Sequence, residues 1–255
     1  MKKIFKFQLK DILLGCSIYA LIMLLLTTCA VVITLTYSHI TVAGNGFASA
    51  IFCLALGVGI YKEHCQMAVL NSVSRKDFFK SLLCIAVIIS LICTLIDQIF
   101  QLIIMLPKLN LVIDFDFTIN FDILKILKIF YPGFFETHSA AVIAAAGFLM
   151  EFLIDGILFI TGTLFAGICC RLPKKYRAAY CIAVPILGVG GAPMLFSIFI
   201  GTSIYPPFAR QLINAFRSAM GIPSGNPFLG ALTFAAASVI IASVCYGMLR
   251  RTEIN

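Results

Sequence analysis

The chain has 255 residues, 61% of them hydrophobic and only 12% charged, with 19 basic and 11 acidic side chains and no tryptophan. Soluble domains carry about 25% charged residues, so this chain lacks the charge to coat a compact globule, and its hydrophobicity excludes intrinsic disorder. With a mean hydropathy of +1.05, the expectation is an all-α, polytopic membrane protein. The net charge of +8 does not point to nucleic acid: the basic residues fall in short clusters between apolar runs, which is topogenic charge rather than a phosphate-binding face.

Uncharged runs of about 20 residues predict six transmembrane helices in one domain, at about 12–36, 46–61, 81–106, 144–170, 180–204 and 229–249. Residues 4–11, with Lys6, Gln8, Lys10 and Asp11 among apolar side chains, read as an amphipathic lead-in along the inner membrane surface. Met1-Lys2-Lys3 also fits the basic start of a signal peptide. The run that follows, about 25 residues against 7–15 for such a peptide, favours a retained span. The connection at 107–138 contains an expected interfacial helix at 122–130, its Lys125 and Lys128 set among aliphatics before Pro132-Gly133. The connection at 205–228 is cut by Pro206, Pro207, Pro223 and Pro227, with a helix expected over 209–220.

Charge orients this bundle. The N-terminal tail, the connections after the second and fourth spans and the C-terminal tail hold 14 Lys and Arg residues; the other connections hold 5. The positive-inside rule then puts both termini in the cytoplasm.

Chemistry-bearing motifs are scarce. Nine of the ten cysteines lie in apolar runs, only Cys65 in a polar one, no CxxC occurs, and His39, His64 and His138 are far apart. Neither a disulfide framework nor a metal site is expected. The chain has no phosphate-cradling GxxxxGK[ST] loop and no HExxH. The glycines around Gly188, Gly190 and Gly191 lie in an apolar run with Pro185 and Pro193, which suits helix packing or a bend. No cofactor and no enzymatic activity are expected.

Two polar features remain. Asp97 falls in the third span, Glu151 and Asp155 in the fourth, and no lysine or arginine lies in any span to pair with them. Each acid costs about 2.5–3.5 kcal/mol at mid-membrane, and Glu151 and Asp155, four apart, share a helical face where like charges repel. The functional expectation is a polar, externally open translocation cavity lined by Asp97, Gln98, Gln101, Glu151 and Asp155. The plain alternative is a fourth segment that slides one acid into the headgroup zone and leaves the others neutral between helices. The second feature is the segment at 62–80, expected to be cytoplasmic. A short helix at 63–70, a break at Asn71-Ser72 and a new helix opened by the Ser74-x-x-Asp77 capping pattern form an expected elbow. Its apolar surface carries Met67, Val69 and Leu70, and Phe78 and Phe79 enter the interface. A basic loop anchored to anionic lipid is the plain alternative.

Asn71-Ser72-Val73-Ser74-Arg75-Lys76-Asp77-Phe78-Phe79 resembles the Asn-Gly-[Ile/Val]-Ser-Arg-Lys-x-[Phe/Tyr]-[Phe/Leu] element of permease subunits of type-two bacterial ABC exporters. In that family the element follows the second of six spans and docks on the ATP-binding subunit. The lead-in, cytoplasmic termini and proline-broken segment before the last span are similar to the same plan. Ser72 departs from the frequent glycine, and the connection after the third span is longer than in compact members.

The resemblance implies a cytosolic ABC ATPase partner contacted by Glu63, Met67, Leu70, Asn71, Ser74, Arg75, Lys76, Asp77, Phe78 and Phe79. It also implies pairing with a second copy or a sister permease in the bacterial plasma membrane. Peptides, drugs or amphipathic molecules are the implied substrates. Two other classes stay open: a non-transporting immunity or accessory protein that binds a peptide, and an intramembrane enzyme, for which Asp97 with Glu151 is the one plausible pair.

Overall fold

A computed structural model describes residues 2–36, 48–104, 123–173, 175–181 and 207–250, and every regular element among them is helical. The helices are α1 (Lys2–Thr36), α2 (Ala48–Leu70), α3 (Arg75–Ile104), α4 (Ile123–Phe130), α5 (Pro132–Thr137), α6 (Ala140–Arg171), α7 (Pro207–Ala219) and α8 (Pro227–Arg250). Four stretches are long and apolar enough to cross a membrane: Phe5–Cys29, Arg75–Phe100, Ala140–Arg171 and Pro227–Arg250. The described residues are helical throughout their regular elements, and the chain is a multi-pass membrane protein.

The apolar part of α2, Ala48–Tyr61, is shorter, about 21 Å of helix against a hydrocarbon core of about 30 Å. The predicted fifth span at 180–204 lies outside the described residues except at its start. There, residues 175–181 fold back on α6, with the Phe165 and Tyr180 rings stacked at 4.8 Å.

Two boundaries differ from the sequence expectation. The lead-in at 4–11 is not a separate surface helix but the first turns of α1. Nothing between Lys2 and Leu14 breaks a helix, and Gln8 is fully buried, accepting a hydrogen bond from Ser81 Oγ at 2.8 Å. Likewise 63–70 is the last part of a continuous α2, because no Gly or Pro separates it from the apolar part.

Lipid and protein faces are separated along each helix. On α1 the buried side chains are Gln8, Ile12, Cys16, Tyr19, Met23 and Thr27, at intervals of three and four, while Leu14, Ile18, Leu21 and Leu25 face outward. On α3 Ile85, Ile89, Cys93, Thr94 and Asp97 turn inward, and Val87, Leu91, Leu95 and Ile99 outward. Hydroxyls within the apolar stretch return to their own helix, as Ser17 Oγ does to the Leu13 carbonyl at 2.8 Å and Thr27 Oγ1 to the Met23 carbonyl at 2.7 Å.

The central helix is α6, which packs on α2, α3, α4 and α8. Its closest neighbour is α2, and small residues make that approach possible. A Cβ at Gly57 would run into the Phe159 carbonyl, and one at Gly162 into the Leu54 carbonyl. The two backbones touch at these reciprocal glycines.

Contacts define the two ends of the bundle. At one end His64 Nε2 meets Asp11 Oδ2 at 3.1 Å, the Arg75 guanidinium donates to the Arg250 carbonyl, Arg171 donates to the Met248 carbonyl, and Phe79 packs on Tyr246. The start of α1, the α2–α3 connection and the ends of α6 and α8 therefore gather together, bringing the sequence's basic clusters to one end. At the other end a separate apolar cluster joins Ile123, Leu127, Tyr131 and Phe134 to Ala146, Met150 and Ala231, and the Tyr131 hydroxyl donates to the Met220 carbonyl at 2.6 Å. There the 122–130 expectation corresponds to α4 and the 209–220 expectation to α7.

Candidate functional site: a buried carboxylate cluster and a capped hairpin

Asp97, Glu151 and Asp155 come together although they sit on two helices more than 50 residues apart in sequence. Each is 1% exposed. Depth explains their meeting: Asp97 is about 33 Å of helix from Arg75 and Glu151 about 30 Å from Arg171, so antiparallel packing of α3 on α6 brings them level. The Asp97 and Glu151 side chains meet.

The surrounding donors come from three helices. The Tyr19 hydroxyl of α1 donates to Asp97 Oδ1 at 2.6 Å, Gln98 Nε2 of α3 donates to Glu151 Oε2 at 2.7 Å, and Thr94 Oγ1 stands 3.5 Å from Asp155 Oδ2. Ser49, at the start of α2, lies against Asp97 and Asp155, and its buried hydroxyl makes no hydrogen bond of normal geometry. Phe52 stacks on Tyr19 at 4.6 Å and holds that phenol in place.

Of the expected cavity lining, Asp97, Gln98, Glu151 and Asp155 are assembled here; the Gln101 side chain lies outside the described residues. The cluster is enclosed rather than open, since the three acids are all but inaccessible and the Tyr131–Met150 apolar cluster packs at the same end of α6. Tyr19, Ser49 and Thr94 were not read from the sequence as partners. Tyr19 carried a signal: it is the only tyrosine well inside the first apolar run, and a buried phenol needs an acceptor.

At the opposite end the α2–α3 connection is a tight hairpin built by backbone chemistry. Val73 N–H donates to the Ala68 carbonyl at 2.9 Å, and Ser72 has φ 53°. This is a Schellman closure with Ser72 at the left-handed position that glycine ordinarily fills. The Asn71 backbone and side-chain N–H groups both donate to the Met67 carbonyl, at 3.0 and 2.8 Å. Helix α3 then starts with the expected cap: Asp77 N–H donates to Ser74 Oγ at 3.1 Å, and that hydroxyl donates to Asp77 Oδ2 at 2.9 Å.

The hairpin splits the residues assigned to it. Leu70 is 83% exposed and Met67 42%, and Asn71, Ser74, Arg75 and Lys76 are also exposed. Asp77 is half-buried, Phe79 half-buried against Tyr246, and Phe78 only 2% exposed in the main core. Phe78 is thus a packing residue that fastens the start of α3, and the outward surface belongs to Met67, Leu70, Asn71, Ser74, Arg75 and Lys76. The Glu63 side chain lies outside the described residues. No family model, curated protein or solved structure matches this chain.

Proposed function

We propose that the chain is a transmembrane permease subunit of an ABC-type exporter, driven by a separate cytosolic ATPase and residing in the bacterial plasma membrane with both termini in the cytoplasm. The observation that carries this reading is the α2–α3 hairpin. It presents an exposed apolar tip, Met67 and Leu70, beside exposed Arg75 and Lys76, at the end where the basic clusters gather. The left-handed Ser72 supports the resemblance from an independent direction: the family element carries glycine where this hairpin requires positive φ.

A hairpin fastened on both sides can act as a lever. Closure of two ATPase subunits would push on it, and α2 and α3 would carry the displacement to α6 through the Gly57–Gly162 contact and the Asp97–Glu151 pair. A second copy or a sister permease completes the path, for a peptide, drug or amphipathic molecule.

Photo-crosslinking tests the reading. A photoreactive amino acid at Leu70 should capture an ATP-binding subunit in native membranes, whereas the same group at outward-facing Leu232 should capture lipid. If Leu70 yields no nucleotide-binding adduct, the reading fails.

One observation favours a second reading. An intramembrane enzyme needs two acids facing one another at one depth, and Asp97 and Glu151 do so. Conversion of a membrane-embedded substrate by the purified chain alone, abolished by D97N, would establish it in place of the permease.

A further inference from the structure

Asp97 and Glu151 leave a donor shortage. Tyr19 supplies Asp97 Oδ1 and Gln98 supplies Glu151 Oε2. The second oxygen of each acid, Asp97 Oδ2 and Glu151 Oε1, is buried without a partner among the described residues. Ionised carboxylate oxygens only accept hydrogen bonds, so two bare carboxylates in contact repel. A proton between them turns the same contact into a charge-assisted hydrogen bond.

Other occupants fit less well. The stretches 12–36, 48–61, 81–104 and 140–170 contain no lysine, arginine or histidine to neutralise the pair. Among the described residues no group of His, Cys, Asp and Glu side chains has the arrangement of metal ligands. With the acids 1% exposed, the space is that of a small ion rather than an organic substrate. An independent sign that the cluster takes an occupant is Ser49, 0% exposed, whose hydroxyl lies beside Asp97 and Asp155 yet makes no hydrogen bond.

We propose that Asp97 and Glu151 form a proton-binding site. One proton taken from water bonds to Glu151 Oε1 and is donated to Asp97 Oδ2, so the pair carries one negative charge instead of two. Tyr19 and Gln98 hold the outer oxygens and Ser49 the flank. Because Asp97 belongs to α3 and Glu151 to α6, loss of that proton sets two like charges between these helices and loosens their packing. Proton occupancy and helix packing are thus linked. The titratable groups facing the pair are Tyr19 from α1, Cys53 from α2 and Asp155 from α6; Cys93 of α3 lies toward Asp155, and Cys16 of α1 lies against Cys93. The proposal stands on this cluster alone and is independent of the permease reading.

Infrared spectroscopy of the full chain in lipid nanodiscs at neutral pH tests it, with circular dichroism to confirm helicity. The wild type should show the C=O band of a protonated carboxyl. Because Asp155 is equally buried beside the pair, the assignment is read in D155N: that variant should keep a protonated-carboxyl band, and the band should be lost when E151Q or D97N is added to it. A wild type without the band, a D155N variant without it, or a D155N band that survives both added substitutions overturns the proposal. Thermal melting supplies a second arm that depends on no variant: wild-type stability should fall as pH rises from mildly acidic to alkaline. A melt unchanged over that interval contradicts the shared proton.

Discussion

Gly57 and Gly59 lie two residues apart on α2 and carry opposite predictions for the same substitution. In Gly57→Ala the new methyl would collide with the Phe159 carbonyl and stand 3.1 Å from Thr163 N, both backbone atoms of α6 that have no side chain to swing aside. The helices must separate by roughly 1 Å, a strain of the kind that costs about 1–3 kcal/mol. Gly59 has nothing within 4 Å of the position its Cβ would take, so Gly59→Ala should gain up to about 1 kcal/mol of helix propensity. The two variants should therefore differ by about 1–4 kcal/mol, with opposite signs relative to wild type. A loss of 2 kcal/mol in a chain of this size lowers the melting midpoint by about 4–8 °C. Thermal unfolding in nanodiscs, followed by circular dichroism, reads the difference. Gly57→Ala melting with or above Gly59→Ala would refute the close α2–α6 approach, and with it the seat of the carboxylate cluster.

Three further perturbations address the hairpin and the cluster. Ser72→Gly should stabilise the chain by about 0.5–1 kcal/mol, since it removes a left-handed penalty of roughly 1–2 kcal/mol at the cost of added unfolded-state freedom; a lower melting midpoint would contradict the Schellman closure. Ser74→Ala removes the cap on Asp77 N–H and should cost about 1 kcal/mol, with faster amide hydrogen exchange confined to the first turn of α3. Tyr19→Phe deprives Asp97 Oδ1 of its donor and should cost about 1–3 kcal/mol without altering membrane insertion; an unchanged melt would show that the phenol does not serve Asp97.

Much of the fold was legible because membrane-spanning chemistry is coarse. Runs of apolar residues marked α1, α3, α6 and α8, and the proline and glycine breaks bracketed α4 and α7. Helix ends were less legible, because the polar residues at 2–11 and 63–70 look like separate surface elements while nothing in them stops a helix. Burial was hidden for a physical reason. In lipid the outward face is as apolar as the inward one, so Leu14 and Ile12 look alike although one is 66% exposed and the other fully buried. Polar and small residues carry the missing information: Gln8, Tyr19, Ser49 and Thr94 mark the inner stripes, and Gly57 and Gly162 the closest approach.

The cluster was half legible. Asp97, Glu151 and Asp155 declared themselves by their cost in an apolar run, and the i, i+4 spacing of the last two placed them on one face. Their meeting across α3 and α6 depends on helix register, which no local pattern encodes. At the hairpin, the Ser74-x-x-Asp77 pattern announced its cap directly. The inward turn of Phe78 beside the half-buried Phe79 did not, because a helix start can rotate either aromatic toward the core.

The claim that this membrane chain is worked by an external motor is tested most directly by ATP hydrolysis in a complex drawn from native membranes by a tag on the full chain. The account predicts vanadate-sensitive hydrolysis co-eluting with the wild type and lost at least about tenfold with Leu70→Asp, a surface change that leaves helicity intact. An eluate that hydrolyses no ATP, or equal hydrolysis with Leu70→Asp, would contradict it.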